Sequence, residues 1–137
     1  ICGLDEKGCC CLHTVFMIAP KTKMEINLKF LLGVLNSKFI GNFWTQNFSD
    51  LRTTFPKIKG SYLAKLPIPA IDFKNKEQRH KHDEIVRYVD TILKLHNEIA
   101  TTKLETKIEQ LQIRLHQCEE QIDELIFYFF GMTKDEK

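Results

Sequence analysis

Between Phe43 and Lys65 the chain carries Trp44, Gln46, Asn47, Ser49, Arg52, Thr53, Thr54, Lys57, Lys59, Ser61, Tyr62 and Lys65. These types suit a polyanion with readable edges. Lys and Arg neutralise phosphate, Ser, Thr and Tyr give it neutral hydrogen bonds, and Gln, Asn and Arg make paired bonds to base edges. Residues 49–60 follow neither the helical nor the strand period, so they are expected to form a polar, basic loop with one aromatic. A loop held between packed helices and a proline-fixed segment presents such groups with little further loss of entropy.

Other clusters carry less. His80 and Glu84 share a helical face at i and i+4, but two ligands are too few for a metal, and a solvated first turn of a long helix accounts for them. His96 falls on an apolar stripe and His116 beside one, which predicts packing or partial exposure. The run Phe127 to Phe130 is expected to pack in the core against an N-terminal hairpin rather than to stack on bases. Five cysteines, three of them adjacent at 9 to 11, are no disulfide framework. With His13 they would alternate across a strand and point to opposite faces, without the paired spacings of a zinc site, so they read as small strand residues in a reducing compartment. No glycine-rich phosphate loop, G-x-S-x-G, H-E-x-x-H or C-x-x-C occurs.

The elements that would position these residues follow from spacing. Asp5 to Gly8 has turn composition between two short apolar stretches, the second holding Thr14, Val15, Phe16 and Ile18, which predicts a β-hairpin ended by Pro20. From Ile26 the apolar spacing becomes three and four: a helix is expected over 27–37, capped by Asn27, and another over 38–48. Gly33 lowers helix propensity, so close packing is its expected reason. Ser61 is read as the cap of a short helix over 62–66, and Leu66-Pro67-Ile68-Pro69 as extended. Beyond Asn75 one stripe runs Ile85, Val89, Ile92, His96, Ile99, and a second runs Leu104, Ile108, Leu111, Leu115, Cys118, Ile122, Leu125. They change phase near Thr101-Thr102, giving either an antiparallel helix pair or one bent helix. Gly131 is expected as a C-terminal cap and Thr133 to Glu136 as a capping box.

The expected fold is therefore α+β: a small β-hairpin or sheet packed with short helices, followed by a long, coiled-coil-like antiparallel helical pair. The proline pair places a boundary near residue 70, dividing a recognition region, 1–70, from a helical region, 71–137. Charge divides likewise, nine Lys/Arg against four Asp/Glu before residue 71 and eleven against fourteen after it. A basic half beside a mildly acidic one fits polyanion binding joined to a structural module. The start at Ile1 rather than Met suggests a segment of a longer, cytoplasmic protein with no membrane span.

Leu31-Leu32-Gly33-Val34-Leu35-Asn36-Ser37-Lys38-Phe39-Ile40, then Phe55-Pro56-Lys57-Ile58-Lys59, then Ser61-Tyr62-Leu63-Ala64-Lys65-Leu66-Pro67-Ile68-Pro69 resemble, in that order, the TaqI-like C-terminal specificity domain. That domain occurs in adenine-specific DNA methyltransferases and single-chain restriction-methylation enzymes, and is related to type I specificity subunits. His13 to Phe16 is similar to the strand before the first helix, and Ile122 to Thr133 to the closing helix. Cysteines 9 to 11 depart from the family's usual residues, and the helical section from Thr101 to Gln117 is longer than in compact members.

The resemblance implies sequence-specific recognition of double-stranded DNA by a segment without a catalytic centre. Its partner would be a methyltransferase domain of the same parent chain, which would hold S-adenosylmethionine and flip an adenine. The four prolines are never adjacent, so the Asn/Asp/Ser-Pro-Pro-Tyr/Phe tetrapeptide of amino-methyltransferases is not in this segment. Arg52, Lys57 and Lys59 become the expected backbone contacts and Gln46, Asn47, Thr53 and Thr54 the expected readers, with Ser61 and Lys65 completing the DNA-binding set. The rival reading is a helical interaction or dimerisation module without DNA contact, built on the two stripes.

Overall fold

Asn27 starts the first helix, its Oδ1 accepting the backbone N–H of Lys29 at 2.8 Å. The computed structural model describes residues 2–5, 8, 15–19, 26–48 and 59–132. Five helices occur there: α1 Leu28–Asn36, α2 Lys38–Phe48, α3 Gly60–Leu63, α4 Lys76–Thr101 and α5 Glu105–Phe129. The expected helix over 27–37 is present with each end shifted by a residue, and the one over 38–48 has the expected bounds.

The α+β expectation is overturned, because the described residues contain no strand and the core is built from helices alone. Strand propensity expresses fit to a pleated, half-buried surface with a neighbour, which composition cannot supply. Val15, Phe16, Met17 and Ile18 are 47% to 75% exposed and join no ladder among the described residues. The other described end of the expected hairpin bonds to a helix instead. Cys2 N–H donates to Asn36 Oδ1 at 2.8 Å, and Asn36 Nδ2 donates to Cys2 O at 3.0 Å. The rest of that hairpin, including Cys9 to Thr14 and Pro20, lies outside the described residues.

Helices α1 and α2 are separated by one residue, Ser37. Its backbone is extended, its hydroxyl donates to Val34 O at 2.7 Å, and the same oxygen accepts the N–H of Ile40 at 3.3 Å. One buried side chain thus closes one helix and caps the next. Asp123 of α5 completes the junction by accepting the N–H of Lys38 at 2.8 Å.

Asn75 caps α4, its Oδ1 accepting from Glu77 N and Gln78 N. At the other end Thr102 turns extended and its hydroxyl donates to Glu98 O at 2.7 Å, while Thr101 bonds back to Asn97 O. The β-branched pair therefore ends the helix, and of the two outcomes the spacing left open the antiparallel pair is the one formed. Lys81 lies on the ring of Tyr128, whereas His96 and His116 flank one cleft farther along. Gly131, with φ of 66°, closes α5: Met132 N–H donates to Phe127 O at 3.1 Å and Gly131 N–H to Tyr128 O at 3.0 Å. This Schellman pairing is the expected glycine cap. The expected capping box over Thr133 to Glu136 lies outside the described residues.

The core joins Phe30 and Val34 of α1, Ile40 of α2, Ile85 and Val89 of α4, and Ile122 and Ile126 of α5. Gly33 faces this seam. A Cβ there would stand 2.9 Å from Ile85 Cγ2 and 3.2 Å from Val89 Cγ2, so close helix approach accounts for the glycine. The aromatic run is core, but its partner is not a hairpin: Phe129 meets Phe30 edge-on at 5.9 Å and Phe130 stacks on Phe39 at 3.9 Å. Along α4 the second half departs from the expected stripe, with Leu95 buried and His96 exposed. The reason is the shortness of α1: near His96 that helix has ended, and the α1-facing side of α4 opens into a cleft.

Candidate nucleic-acid interface

The N-terminal half of α2 is tied down through Phe39 and Ile40, whereas its C-terminal half meets α3. Four rings make that second junction. Phe48 stacks on Tyr62 with centroids 4.8 Å apart and planes 10° from parallel; Trp44 approaches Phe48 at 5.3 Å and Tyr62 at 6.2 Å, and Phe43 lies 5.8 Å from Phe48. Trp44 and Phe48 are four residues apart on one helical face, which lets a single short helix engage both. All four rings are partly exposed.

Around this cluster stand the described members of the expected site. Gln46, Asn47, Lys59, Ser61 and Lys65 are all exposed. Asn47 Nδ2 donates to Phe43 O at 2.9 Å, which fixes its amide along the helix beside the rings. Gln46 sits about 200° round the helix from Trp44 and does not share the aromatic edge. Lys59 occupies the position before α3 in an extended conformation and makes no side-chain cap. Its Nζ instead donates to the Tyr62 hydroxyl at 3.4 Å and lies 5.2 Å from the ring centroid. Ser61 is inside α3 rather than capping a helix over 62–66, since the helix starts two residues earlier than expected, at Gly60, and ends at Leu63.

The structure thus gathers Asn47, Lys59 and the rings and leaves Gln46 on another side of α2. Arg52, Thr53, Thr54 and Lys57 lie outside the described residues. Phe48 was missed by sequence reading: an aromatic after a polar stretch carries no signal until its i and i+4 relation to Trp44 is matched by a ring on another helix.

Electrostatics separates these lysines from Lys29 of α1 and Lys38 of α2. Lys29 pairs with Asp90, and Lys38 Nζ lies 3.3 Å from Asp123 Oδ2. Among the described residues neither Lys59 nor Lys65 forms an ion pair. Their charge is not spent on the molecule's own acidic helices.

The histidines read as scaffold. His80 is 68% exposed and 3.8 Å from Glu84, a solvated i and i+4 pair. His82, in the same Arg79 to Glu84 cluster expected as a solvated first turn, departs from that expectation: it is buried between Phe30 at 4.7 Å and Phe73 at 5.1 Å. No group of three metal-ligating side chains occurs among the described residues. A cleft of about 450 Å³ beside the α1–α2 junction and an apolar one of about 340 Å³ along α1 are lined by none of the candidate residues. Gly33 faces the methyl groups of Ile85 and Val89 rather than an open cradle, so no step involving S-adenosylmethionine is assigned to these residues.

Comparison with known families decides what this arrangement belongs to. Residues 1–68 match the TaqI-like C-terminal specificity domain. The match takes in α1, α2, the aromatic junction and α3, and stops before α4. The similarity noted for Ile122 to Thr133 falls outside it. Neither a curated protein nor a solved structure matches the chain. Within the matched region, Leu-Asn-Ser-Lys at 35–38 is an architectural motif. Asn36 holds the Cys2 backbone, Ser37 serves both helices, and Lys38 meets Asp123 by its N–H and its ammonium. No helix among the described residues is long and apolar enough to cross a membrane.

Proposed function

We propose that the chain is a double-stranded DNA recognition module that positions a separate catalytic domain of its parent protein for adenine N6 methylation. The observation that carries the reading is the pairing of family and charge. The matched region ends in an exposed segment whose Lys59 and Lys65 are not neutralised by any described acid, beside exposed amides on α2. Phosphate contacts from Lys59, Lys65, Arg52 and Lys57 would set the register, with Ser61 adding a neutral bond. Gln46, Asn47, Thr53 and Thr54 are the side chains offered to base edges. Methyl transfer from S-adenosylmethionine would belong to the other domain.

Duplex binding followed by fluorescence anisotropy across a salt series tests the reading. Affinity is expected to fall linearly on a log–log scale with a slope of about −0.9 for each phosphate neutralised. Binding that is absent at low salt, or independent of salt, overturns it. In the parent enzyme, exchanging this segment for that of a relative with another target is expected to change which adenine is methylated. An unchanged target would assign specificity elsewhere.

A further inference from the structure

We infer that Tyr62 and Lys59 form a two-donor grip on a single phosphate of the DNA backbone, with the Phe48 ring as its fixed support; this rests on the DNA-recognition reading above. Lys59 Nζ donates to the Tyr62 hydroxyl oxygen at 3.4 Å. That bond leaves the phenolic proton and the other ammonium protons available, because an ammonium has three donors and a phenol one donor besides its acceptor lone pairs. Two donors at this separation match neighbouring oxygens of one phosphate. The lysine also polarises the phenol toward donating, since hydrogen bonds in series strengthen one another.

Lone lysines on a surface lose much of their binding energy to side-chain entropy. Here the phenol is held instead. The Tyr62 ring lies parallel to Phe48 at 4.8 Å and edge-on to Trp44 at 6.2 Å, joining α3 to the C-terminal half of α2. Lys59 in turn spans the ring at 5.2 Å from its centroid. The position of the pair is thus set by two helices rather than by a free rotamer. It follows that Tyr62, a neutral residue, contributes to backbone affinity as a phosphate donor and not as a base reader.

The test uses the full chain with Tyr62→Phe, Lys59→Gln and the double variant, measured by anisotropy on one duplex over a salt series. Tyr62→Phe keeps the ring stack, and unchanged emission of Trp44 in the free variant verifies this. It is expected to weaken binding about tenfold, the value of one hydrogen bond to a charged group, without altering the salt slope. Lys59→Gln is expected to weaken binding and to reduce the slope by about 0.9. In the Lys59→Gln background, Tyr62→Phe is expected to cost clearly less than tenfold, since the two donors share one phosphate. Duplex binding by Tyr62→Phe equal to the unmodified chain, or strictly additive losses in the double variant, overturns the grip while leaving DNA recognition intact. An unmodified chain without salt-dependent binding overturns the recognition reading itself.

Discussion

Asp123 of α5 holds Lys38 twice: one carboxylate oxygen accepts its backbone N–H at 2.8 Å and the other lies 3.3 Å from its Nζ. Asp123 is 7% exposed and its carboxylate sits at the N-terminal end of α2, where a negative charge also complements the helix dipole. Through this contact the acidic helical half fixes the helix that carries Trp44, Asn47 and Phe48.

Asp123→Ala is expected to destabilise the fold by about 1–2 kcal/mol, because it leaves a part-buried helix-start N–H without its acceptor. Asp123→Asn, which keeps an acceptor, is expected to cost about half as much. Lys38→Ala should cost less than about 1 kcal/mol, since its ammonium end is 62% exposed and the ion pair is screened. Urea denaturation followed by circular dichroism measures all three, and equal losses for Lys38→Ala and Asp123→Ala would show that the backbone bond is not the larger effect.

Gly33→Ala sets two effects against each other. Helix propensity favours alanine by about 1 kcal/mol. The new methyl meets Ile85 Cγ2 at 2.9 Å and Val89 Cγ2 at 3.2 Å, and β-branched side chains in a packed seam give way poorly, at about 1–3 kcal/mol. A net loss of up to about 2 kcal/mol is expected in the same denaturation experiment; a gain in stability would mean that α1 can slide on α4.

His82 accepts the N–H of Asn27 on Nε2 at 3.4 Å, which puts its proton on Nδ1, facing Asp83 Oδ1 at 2.9 Å. The long backbone contact at an exposed Asn27 is weak, so most of the residue's value is packing between Phe30 and Phe73. His82→Ala is expected to cost about 3 kcal/mol and His82→Phe under about 1 kcal/mol. A large loss in the phenylalanine variant would assign the role to the hydrogen bond instead.

Tyr128 titrates above the usual tyrosine range, chiefly because its hydroxyl is hydrogen bonded to Glu77, with some desolvation and the charge of Glu77 acting in the same direction. A raised value in the folded state favours the protonated phenol. The small stabilisation is therefore complete below the ordinary tyrosine pKa and is lost as pH rises through the folded value. Glu77→Gln is expected to bring the phenolate absorbance transition down toward the ordinary value; an unmoved transition would remove Glu77 as the cause.

The single tryptophan reports on the candidate interface directly. Duplex binding is expected to change Trp44 emission, because its ring borders Phe48 and Tyr62 at the proposed phosphate grip. Emission constant through saturation, with anisotropy showing binding, would place the contact on another face.

Local chemistry was legible from the residues alone. Asn27 and Gly131 cap the helices where their types say they should, the break after Thr101 follows from β-branching and a phase change, and Gly33 announces a tight crossing. So was the family, since its signature is an ordered series of short segments. What the residues could not declare is which segments find partners. Strand-like residues at 15–19 join no ladder among the described residues, Asn36 rather than a second strand receives the Cys2 backbone, and Phe48 acquires meaning only against Tyr62. Propensity acts over a few residues, whereas pairing depends on bringing groups dozens of positions apart into one place. The Lys38–Asp123 contact, 85 residues apart, belongs to that second kind.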